Sequence, residues 1–461
     1  MSSQNPIAKD VPAVLIVGAG LGGLLLATLL ERIDVPYHIF ERAAEVQPLG
    51  AAMTLGANIL PVFEQLGLLE EIEKLSVPCP SLDIYDASIN KLGSIGLRTY
   101  RADTGYDNLI FARPKLYALL QKQVPASKIS FGKKVLRTEE RDGKVHIFCS
   151  DSTTYEGDIL VGADGAYSGV RQNLYKRMDD KGVLPKSDLE CLSIAYVSMV
   201  GVSDPPNPEK YPQLKDNFSH FSKVLDGSNS SWSAVSVANQ QVCWMLSVQL
   251  SEAEAKAQQF CNSEWGPESN ESMISEFEDK PCPWGGKMGE IMHATPKHLV
   301  SKVFLEEKLF LTWYHGRTVL IGDACHKMLP GAGQGAISSM QDAVVLANCF
   351  FNMPDATPAS FTNAFSEYYR QRYDPAKEQF GRSNAMSKAL GGQTWKERLL
   401  RHVILNYIPE FVQQRMSSRA FQYRPQIAWL PLAHNRGTGL VLPQEGARIF
   451  FLGEEEQTHT V

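Results

Sequence analysis

The first hydrophobic pattern in the chain is a continuous apolar run over residues 13–17, followed by a turn that reads GAGLGG at residues 18–23. Apolar residues then recur at helical spacing over residues 24–32. A second apolar run, residues 35–40, ends in Glu41. Continuous apolar runs of this length predict buried strands, and the helical spacing predicts a helix that packs on them. The predicted order is strand, turn, helix, strand.

Each glycine of this turn has a physical role. Gly18 permits the tight turn, Gly20 lets the backbone approach a pyrophosphate, and Gly23 lets the helix pack close to the strand. The free amides and the positive end of the helix dipole stabilise phosphate charge. Glu41, 18 residues after Gly23, is placed to accept hydrogen bonds from a ribose hydroxyl. The pattern predicts a dinucleotide site, and the alternative is a turn with only a structural role.

A second strand with the same kind of ending lies in residues 158–175, which read DILVGADGAYSGVRQNLY. Asp164 follows the apolar run, and Ser168 and Arg171 then open a predicted helix. The alternative for Asp164 is a helix cap without further function.

A third such ending lies in residues 316–336, which read GRTVLIGDACHKMLPGAGQGA. The apolar run 318–321 predicts a buried strand, and Asp323 at its end is placed to accept hydrogen bonds from a polyol. Residues 330–335 offer backbone amides at the start of an apolar helix, where negative charge, including that of a reduced flavin, is stabilised. The alternative is an aspartate that caps a glycine turn.

Composition and charge narrow the classes of function. With 461 residues, 44% hydrophobic and 21% charged, the chain fits a globular protein of two or three domains. A net charge of −6 supplies no general field for nucleic acid or an anionic membrane. The eight cysteines form no Cys-x-x-Cys pair, so we expect free thiols in a reducing compartment and no metal site. No secretory signal and no spanning segment is recognised, which predicts a cytoplasmic protein.

Together the three motifs resemble the single-component (group A) FAD-dependent monooxygenases of the p-hydroxybenzoate-hydroxylase fold, over about residues 11–350. Within that family, residues 312–336 and 48–68 resemble fungal secondary-metabolite epoxidases. The resemblance implies an α/β fold in which a Rossmann-like FAD-binding domain is interleaved with a mixed β-sheet substrate domain and followed by a C-terminal helical segment. The implied ranges are 1–78, 106–180 and 306–350 for the FAD-binding domain, 79–105 and 181–305 for the substrate domain, and 351–461 for the helical region.

The same resemblance implies roles for individual residues. Glu41 would bind the adenosine ribose, Arg113 the region near the pyrophosphate, and Asp323 the ribityl chain. Asp164 belongs to a motif associated with both FAD and NAD(P)H, and residues 333–336 would lie beside the pyrimidine edge of the flavin. The alternative for Arg113 is a surface helix arginine. The cofactor-binding residues implied are Gly18, Gly20, Gly23, Glu41, Arg42, Gly56, Arg113, Asp164, Asp323, Gly333, Gly335 and Ala336.

The sequence signals for the substrate-binding site are less specific than those for the nucleotide site. Residues 79–105 predict a strand, a turn at Asn90 and a second strand, and residues 194–203, 231–238 and 241–250 predict three more. Tyr196 is the candidate catalytic residue, and the alternative is an ordinary sheet aromatic. The last three strands contain no Arg, Lys or His. Because a buried carboxylate needs a partner, this favours an apolar substrate over a small aromatic acid.

The resemblance implies an enzyme that uses FAD, NAD(P)H and O2 to epoxidise or hydroxylate an apolar, prenylated or polycyclic secondary metabolite. The alternatives are an aromatic-acid hydroxylase of the salicylate-hydroxylase type, a flavin-dependent reductase and a flavin halogenase. His326, after the flavin motif, is either a cofactor contact or a structural histidine.

Residues 395–412 place Trp395, Leu399, Val403 and Tyr407 on one helical stripe. The favoured interpretation is that this stripe docks on its own protein, and peripheral membrane contact is the alternative.

Overall fold

The computed structural model describes residues 11–45, 50–97, 100–258, 267–391, 395–408 and 419–444. In these residues the strands are β1 Val14–Val17, β2 Tyr37–Phe40, β3 Ala52–Leu55, β4 Val77–Pro78, β5 Ser81–Asp86, β6 Lys91–Gly96, β7 Leu109–Ala112, β8 Ile129–Ser130, β9 Val135–Arg141, β10 Lys144–Cys149, β11 Thr154–Gly157, β12 Ile159–Gly162, β13 Ser193–Ser203, β14 Phe221–Leu225, β15 Ser230–Val237, β16 Gln241–Gln249, β17 Ser301–Leu309, β18 Tyr314–His315, β19 Thr318–Leu320 and β20 His326–Lys327. The helices are α1 Leu21–Arg32, α2 Leu60–Gln65, α3 Leu69–Leu75, α4 Tyr100–Thr104, α5 Arg113–Gln121, α6 Gly169–Asp179, α7 Glu252–Gln258, α8 Pro267–Phe277, α9 Met288–Met292, α10 Gly335–Phe351, α11 Pro358–Gly391 and α12 Trp395–Asn406.

The first sheet has the order β18-β19-β12-β1-β2-β8, and its strands from β19 to β8 are parallel. Every residue of β1 and β12 is buried, because helices cover both faces of a parallel sheet. The continuous apolar runs of the sequence are therefore its central strands. Helix α1 joins β1 to β2 and packs against α10.

The second large sheet has the order β20-β17-β13-β16-β15-β14-β5-β6 and is antiparallel except where β14 pairs with β5. Its outer face packs on α8 and α9 through a cluster that includes Trp232 and Trp244, each 1% exposed. Strands β5 and β6 come from the hairpin that the sequence predicted, between two stretches of the first domain. The predicted fold class, a Rossmann-like domain interleaved with a mixed-sheet domain and followed by helices, is confirmed.

The other face of this sheet, which we call the inner face, meets two different neighbours. At one end Phe221 and Val235 pack against Ile110 and Ala112 of β7, in the small sheet β3-β7-β4 of the first domain. At the other end Leu225 and its neighbours pack against the C-terminal helices α11 and α12. The inner face therefore lies between the nucleotide-binding part and the C-terminal helices.

Helices α11 and α12 cover that second end. Leu390 of α11 packs with Ile84 and Leu225, and Leu405 of α12 lies against Gly93, where an added Cβ would stand 2.9 Å from the Leu405 Cβ. None of the helices in the described residues is long and apolar enough to cross a membrane.

The predicted stripe of α12 does not dock on the described part of the chain. Trp395 and Tyr407 are each 70% exposed, and Leu399 is 54% exposed. The face of α12 that packs on the sheet is the one carrying Leu405, so the favoured interpretation of the stripe was wrong for these residues. Residues 1–10, 46–49, 409–418 and 445–461, which fall within ranges named in the sequence predictions, lie outside the described residues.

Candidate active site

Four neighbouring strands of the first sheet end at the same edge. The register pairs Val17 with Phe40 on one side and with Gly162 on the other, and pairs Gly162 with Leu320. Because these strands are parallel, the residues that follow them meet at one edge of the sheet. The predicted site residues that lie just beyond these strand ends are Gly18, Glu41, Asp164 and Asp323.

Two glycines of the first turn are required by packing. Gly18 has a φ of +105°, and an added Cβ would stand 2.3 Å from the Ala163 carbonyl oxygen. A Cβ on Gly23 would stand 2.2 Å from the Gly18 carbonyl oxygen. Gly20 differs, because no atom lies within 4 Å of an added Cβ. Since no side chain caps α1 at Gly20, the first N–H groups of the helix are not bonded to a capping side chain and suit an anion.

The Glu41 carboxylate is fixed beside this turn by the backbone. It accepts hydrogen bonds of 2.9 Å from the amides of both Ala19 and Ala43. Each carboxylate oxygen keeps a further lone pair, so Glu41 can still accept from hydroxyl groups. Arg42, the next residue, is exposed.

The Asp164 carboxylate contacts the first residues of helix α6, as a carboxylate that caps a helix does. Its carboxylate accepts hydrogen bonds from the Ser168 hydroxyl at 2.5 Å and from the Val170 amide at 3.1 Å. Burial raises the pKa of Asp164, although the Ser168 hydrogen bond opposes this. Arg171 of the same motif donates a 2.8 Å hydrogen bond to the Ala324 carbonyl, which ties α6 to the turn containing Asp323. A cofactor role for Asp164 stays a prediction.

Asp323 lies in a short turn after β19, with 32% of its side chain exposed. Its carboxylate accepts a 2.6 Å hydrogen bond from Lys327. Burial alone would raise the pKa of Asp323, but the charge and hydrogen bond of Lys327, with smaller contributions from His326 and Arg113, hold it below its ordinary value. Arg113 is exposed at the start of α5, and its charge reaches the same carboxylate.

The loop before α10 is held against residues 54–58. Gly333 has a φ of +65°, and an added Cβ would stand 3.3 Å from the Thr54 hydroxyl. Asn58 donates a 2.8 Å hydrogen bond to the side chain of Gln334. Gly335 and Ala336 form the first turn of α10, whose N-terminus carries no side-chain cap. The loop therefore presents backbone amides next to β3.

Gly56 has a packing reason to be glycine. An added Cβ would stand 2.2 Å from the Tyr100 hydroxyl, and that hydroxyl accepts a 2.6 Å hydrogen bond from the Ala57 amide. The sequence did not point to Tyr100, because a tyrosine in a short polar stretch carries no local signal. A contact between Gly56 and FAD stays a prediction.

A buried ionic cluster lies behind the Asp323 turn. Asp342 of α10 accepts hydrogen bonds from His326 at 2.6 Å and from Arg372 of α11 at 2.7 Å, and all three side chains are 0% exposed. These contacts are those of a structural histidine. Cys325, His326 and Asp342 have ligand atoms within 4.8 Å of one another, as metal ligands would. Arg372 already supplies positive charge to that carboxylate, which disfavours a metal ion there.

Tyr196 lies on β13, at the end of the inner face that the C-terminal helices cover. Its hydroxyl is 2.9 Å from the position that a Cβ on Gly391 of α11 would take. Burial raises the pKa of Tyr196, and the negative charges of Glu397 and Glu307 add to the effect. The structure thus puts Tyr196 in a recess under α11, and its catalytic role stays a prediction. The recess is also lined by Leu225, Ser231, Ser247 and Arg401.

Comparison with known proteins decides the family. The family described as the FAD binding domain matches residues 12–201 and 289–354, which is more than half of the chain. The chain belongs to this family. The matched stretches contain every predicted cofactor-binding residue, from Gly18 to Ala336.

Relatives of this FAD-binding protein include named FAD-dependent monooxygenases. It is 26% identical over 455 residues to the FAD-dependent monooxygenase ausM of Penicillium brasilianum, covering 95% of this chain and 91% of that protein. It is 31% identical over 346 residues to the FAD-dependent monooxygenase dpasE of Apiospora sacchari, covering 73% and 68%. The fold resembles that of Klebsiella pneumoniae HpxO complexed with FAD and uric acid, with a TM-score of 0.72, 20% identity and coverage of 90% and 97%. The protein is an FAD-dependent monooxygenase, an oxidoreductase.

The residues present fit FAD. The open space at Gly20 and the uncapped start of α1 suit a pyrophosphate, and the backbone-held Glu41 suits a ribose. Asp323 and the loop ending at Ala336 would hold the ribityl chain and the flavin ring. When bound, FAD supplies the redox and oxygen-transfer chemistry.

Proposed function

We propose that this monooxygenase uses NAD(P)H and O2 to epoxidise or hydroxylate an apolar, prenylated or polycyclic secondary metabolite. The proposal rests chiefly on the composition of the inner face between its two neighbours. There, Val200 and Met245 share one row across the sheet, and Val303 and Leu305 lie on the adjoining strand. Of these, Met245, Val303 and Leu305 are only half-buried by the protein itself.

Half-buried apolar side chains in a space bounded on both sides suit a large apolar ligand, because binding would remove them from water. The same space would exclude water from the reacting atoms, which oxygen transfer requires. A substrate there would lie between the sheet and the FAD-binding domain.

Tyr196 would orient the substrate by hydrogen bonding. Because its pKa is raised, it keeps its proton at neutral pH and donates rather than acting as a base. Epoxidation needs no protein base, so a tyrosine that stays protonated is compatible with it.

One observation favours an aromatic-acid hydroxylase of the salicylate-hydroxylase type as a second candidate. An acid substrate is disfavoured by the lack of a cation on three strands, residues 194–203, 231–238 and 241–250. The neighbouring strand β14 contributes Lys223 to the same inner face. A flavin-dependent reductase or halogenase has no comparable support.

The test is turnover of the FAD-loaded enzyme with NADPH under ¹⁸O2, using a panel of prenylated indoles, meroterpenoids, salicylate and 4-hydroxybenzoate. We expect one ¹⁸O atom in the product of a prenylated or polycyclic compound. Oxidation of NADPH coupled tightly to salicylate or 4-hydroxybenzoate, with no reaction of the prenylated compounds, would reject the apolar substrate. The identification as a monooxygenase would stand in that case.

A further inference from the structure

Lys223 is the middle residue of β14, and its neighbours on the inner face belong to two different contacts. Side chains alternate along a strand, so Phe221, Lys223 and Leu225 point to the same face. Phe221 belongs to the cluster formed with β7 of the FAD-binding domain, whereas Leu225 packs with Leu390 of α11. Along the strand, Lys223 therefore lies between these two apolar contacts, on the part of the inner face where we place the substrate.

The Lys223 ammonium has no partner of opposite charge. Within the described ranges, no residue accepts a hydrogen bond from it or forms an ion pair with it. Burial, together with a smaller contribution from the positive charge of Arg401, lowers the pKa of Lys223 to about 8. The residue as a whole is half-buried, so the protein does not enclose Lys223 completely. An ammonium in such surroundings is costly unless an anion or polar group binds it.

Hydroxyl groups surround this lysine on the same face. Ser233 of β15 is its cross-strand partner, and Ser231 lies two residues along the same strand. Ser247 pairs with Ser231 across the next ladder, and its hydroxyl lies 2.6 Å from that of Ser198. Beyond Ser233 the Lys223 row continues with the apolar residues Met245 and Val200 and then with Ser301. Lys223 and Ser233 thus form a polar pair between the apolar residues Ile84 and Met245 of the same row.

We propose that Lys223 binds an acidic oxygen of the substrate, a carboxylate or an ionised phenol or enol, and that the serines support this contact. The inference rests on the proposed function because it assumes that the substrate lies against the inner face. It makes that function more specific: the apolar substrate carries one acidic oxygen. Lys223 then determines specificity and orientation, while the apolar body lies over Met245 and Val200.

The experiment measures binding, without turnover, by the absorbance change of bound FAD in the holoenzyme. The probes are 3-prenyl-4-hydroxybenzoic acid, its methyl ester, its 4-methoxy ether and the doubly blocked ester ether. The ester leaves only the phenol ionisable and the ether leaves only the carboxylate, so the two arms identify which oxygen is bound. Lys223→Met removes the charge, and Lys223→Arg retains it.

The matched control is Lys302→Met. Lys302 lies on β17 of the same sheet, but its cross-strand partner Met199 belongs to the outer cluster, so its side chain is on the other face. We expect at least one singly blocked acid to bind about tenfold or more tightly than the doubly blocked compound, as a charge-assisted contact would give. Lys223→Met should abolish this preference, Lys223→Arg should keep most of it, and Lys302→Met should leave it unchanged.

The proposal is overturned if no acid of the series binds at millimolar concentration, or if acids and the blocked compound bind equally to the unmodified enzyme. It is also overturned if the preference survives in a folded Lys223→Met holoenzyme. If Lys223→Met does not retain FAD, Lys223→Arg provides the test. A Lys223→Arg holoenzyme that retains FAD but no longer prefers the acids over the blocked compound would count against a contact made by charge. A charge-dependent preference without ¹⁸O transfer to any compound would instead reject the proposed reaction and leave this binding role in place.

Discussion

Lys327 donates a 2.6 Å hydrogen bond to Asp323 four residues earlier, so the carboxylate predicted to bind a polyol already has a protein partner. The pair is only partly buried, with 23% of the Lys327 side chain and 32% of the Asp323 side chain exposed. One carboxylate oxygen therefore remains able to accept from a ligand. Lys327 keeps the carboxylate ionised, which is the form that binds hydroxyl groups most strongly.

Asp323→Ala should weaken FAD binding while leaving the protein folded. Loss of one charge-assisted hydrogen bond costs about 1.5–3 kcal/mol, or roughly one to two decades in the dissociation constant. Fluorescence titration of FAD into the apoprotein measures this. Asp226→Ala, in the exposed turn after β14, is the control and should bind FAD normally. Unchanged FAD affinity in Asp323→Ala would mean that Asp323 only supports the turn.

Two glycines of the first turn should respond differently to alanine. Gly20→Ala should fold, because no atom lies within 4 Å of the new Cβ, but it should bind FAD more weakly if the phosphates occupy that space. Gly18→Ala should misfold or lose stability, because its φ of +105° and the Ala163 carbonyl at 2.3 Å leave no room. Circular dichroism and FAD titration separate the two outcomes. Normal FAD affinity in Gly20→Ala would place the phosphates elsewhere.

Gly56→Ala should destabilise the protein by collision with the Tyr100 hydroxyl, and Tyr100→Phe should partly relieve the collision. Tyr100→Phe alone should cost about 1–3 kcal/mol, because the buried Ala57 amide loses its acceptor. A double-mutant cycle on urea unfolding measures the coupling. Additive effects of the two changes would contradict the packing explanation for Gly56.

Asp342 should make the protein sensitive to acid. His326 and Arg372 hold its pKa below the ordinary value of about 3.9 in spite of burial, so its contribution to stability is present above that pH. The contribution is lost as pH falls through the lower folded-state pKa. Asp342→Asn should flatten this dependence below about pH 4 and cost about 3–5 kcal/mol at neutral pH, because Arg372 loses its anion. Denaturant unfolding across that pH range tests both effects, and an unchanged acid profile would contradict the assignment.

The strand ends of the nucleotide site could be predicted because their signals are local. The apolar runs before Gly18, Asp164 and Asp323 became buried parallel strands, and a single register brought their ends together. The residues that the sequence missed depend on contacts between distant segments. Asp342 accepts a hydrogen bond from Arg372, which lies 30 residues later in the chain, and no local pattern near either residue indicates this pair.

Lys223 was missed for a related reason. Its strand, β14, contains only five residues. The prediction about substrate charge considered only the three longer strands β13, β15 and β16. Lys223 is on the inner face because β14 pairs with β15 and β5. Strand β5 comes from a hairpin more than 120 residues earlier in the chain. The exposure of the α12 stripe was missed because helical periodicity identifies a face but not its neighbour.

The position of β19 beside β12 constrains when the enzyme can acquire its cofactor during biosynthesis. Residues 318–320 complete an edge whose other strands lie within residues 14–162, so a nascent chain would carry most of the cradle long before Asp323 leaves the ribosome. The intervening residues include most strands of the second sheet. If Asp323 binds the cofactor as predicted, stable capture of the flavin awaits translation of residue 323 of 461, and FAD would act after most of the chain is made rather than template its early folding.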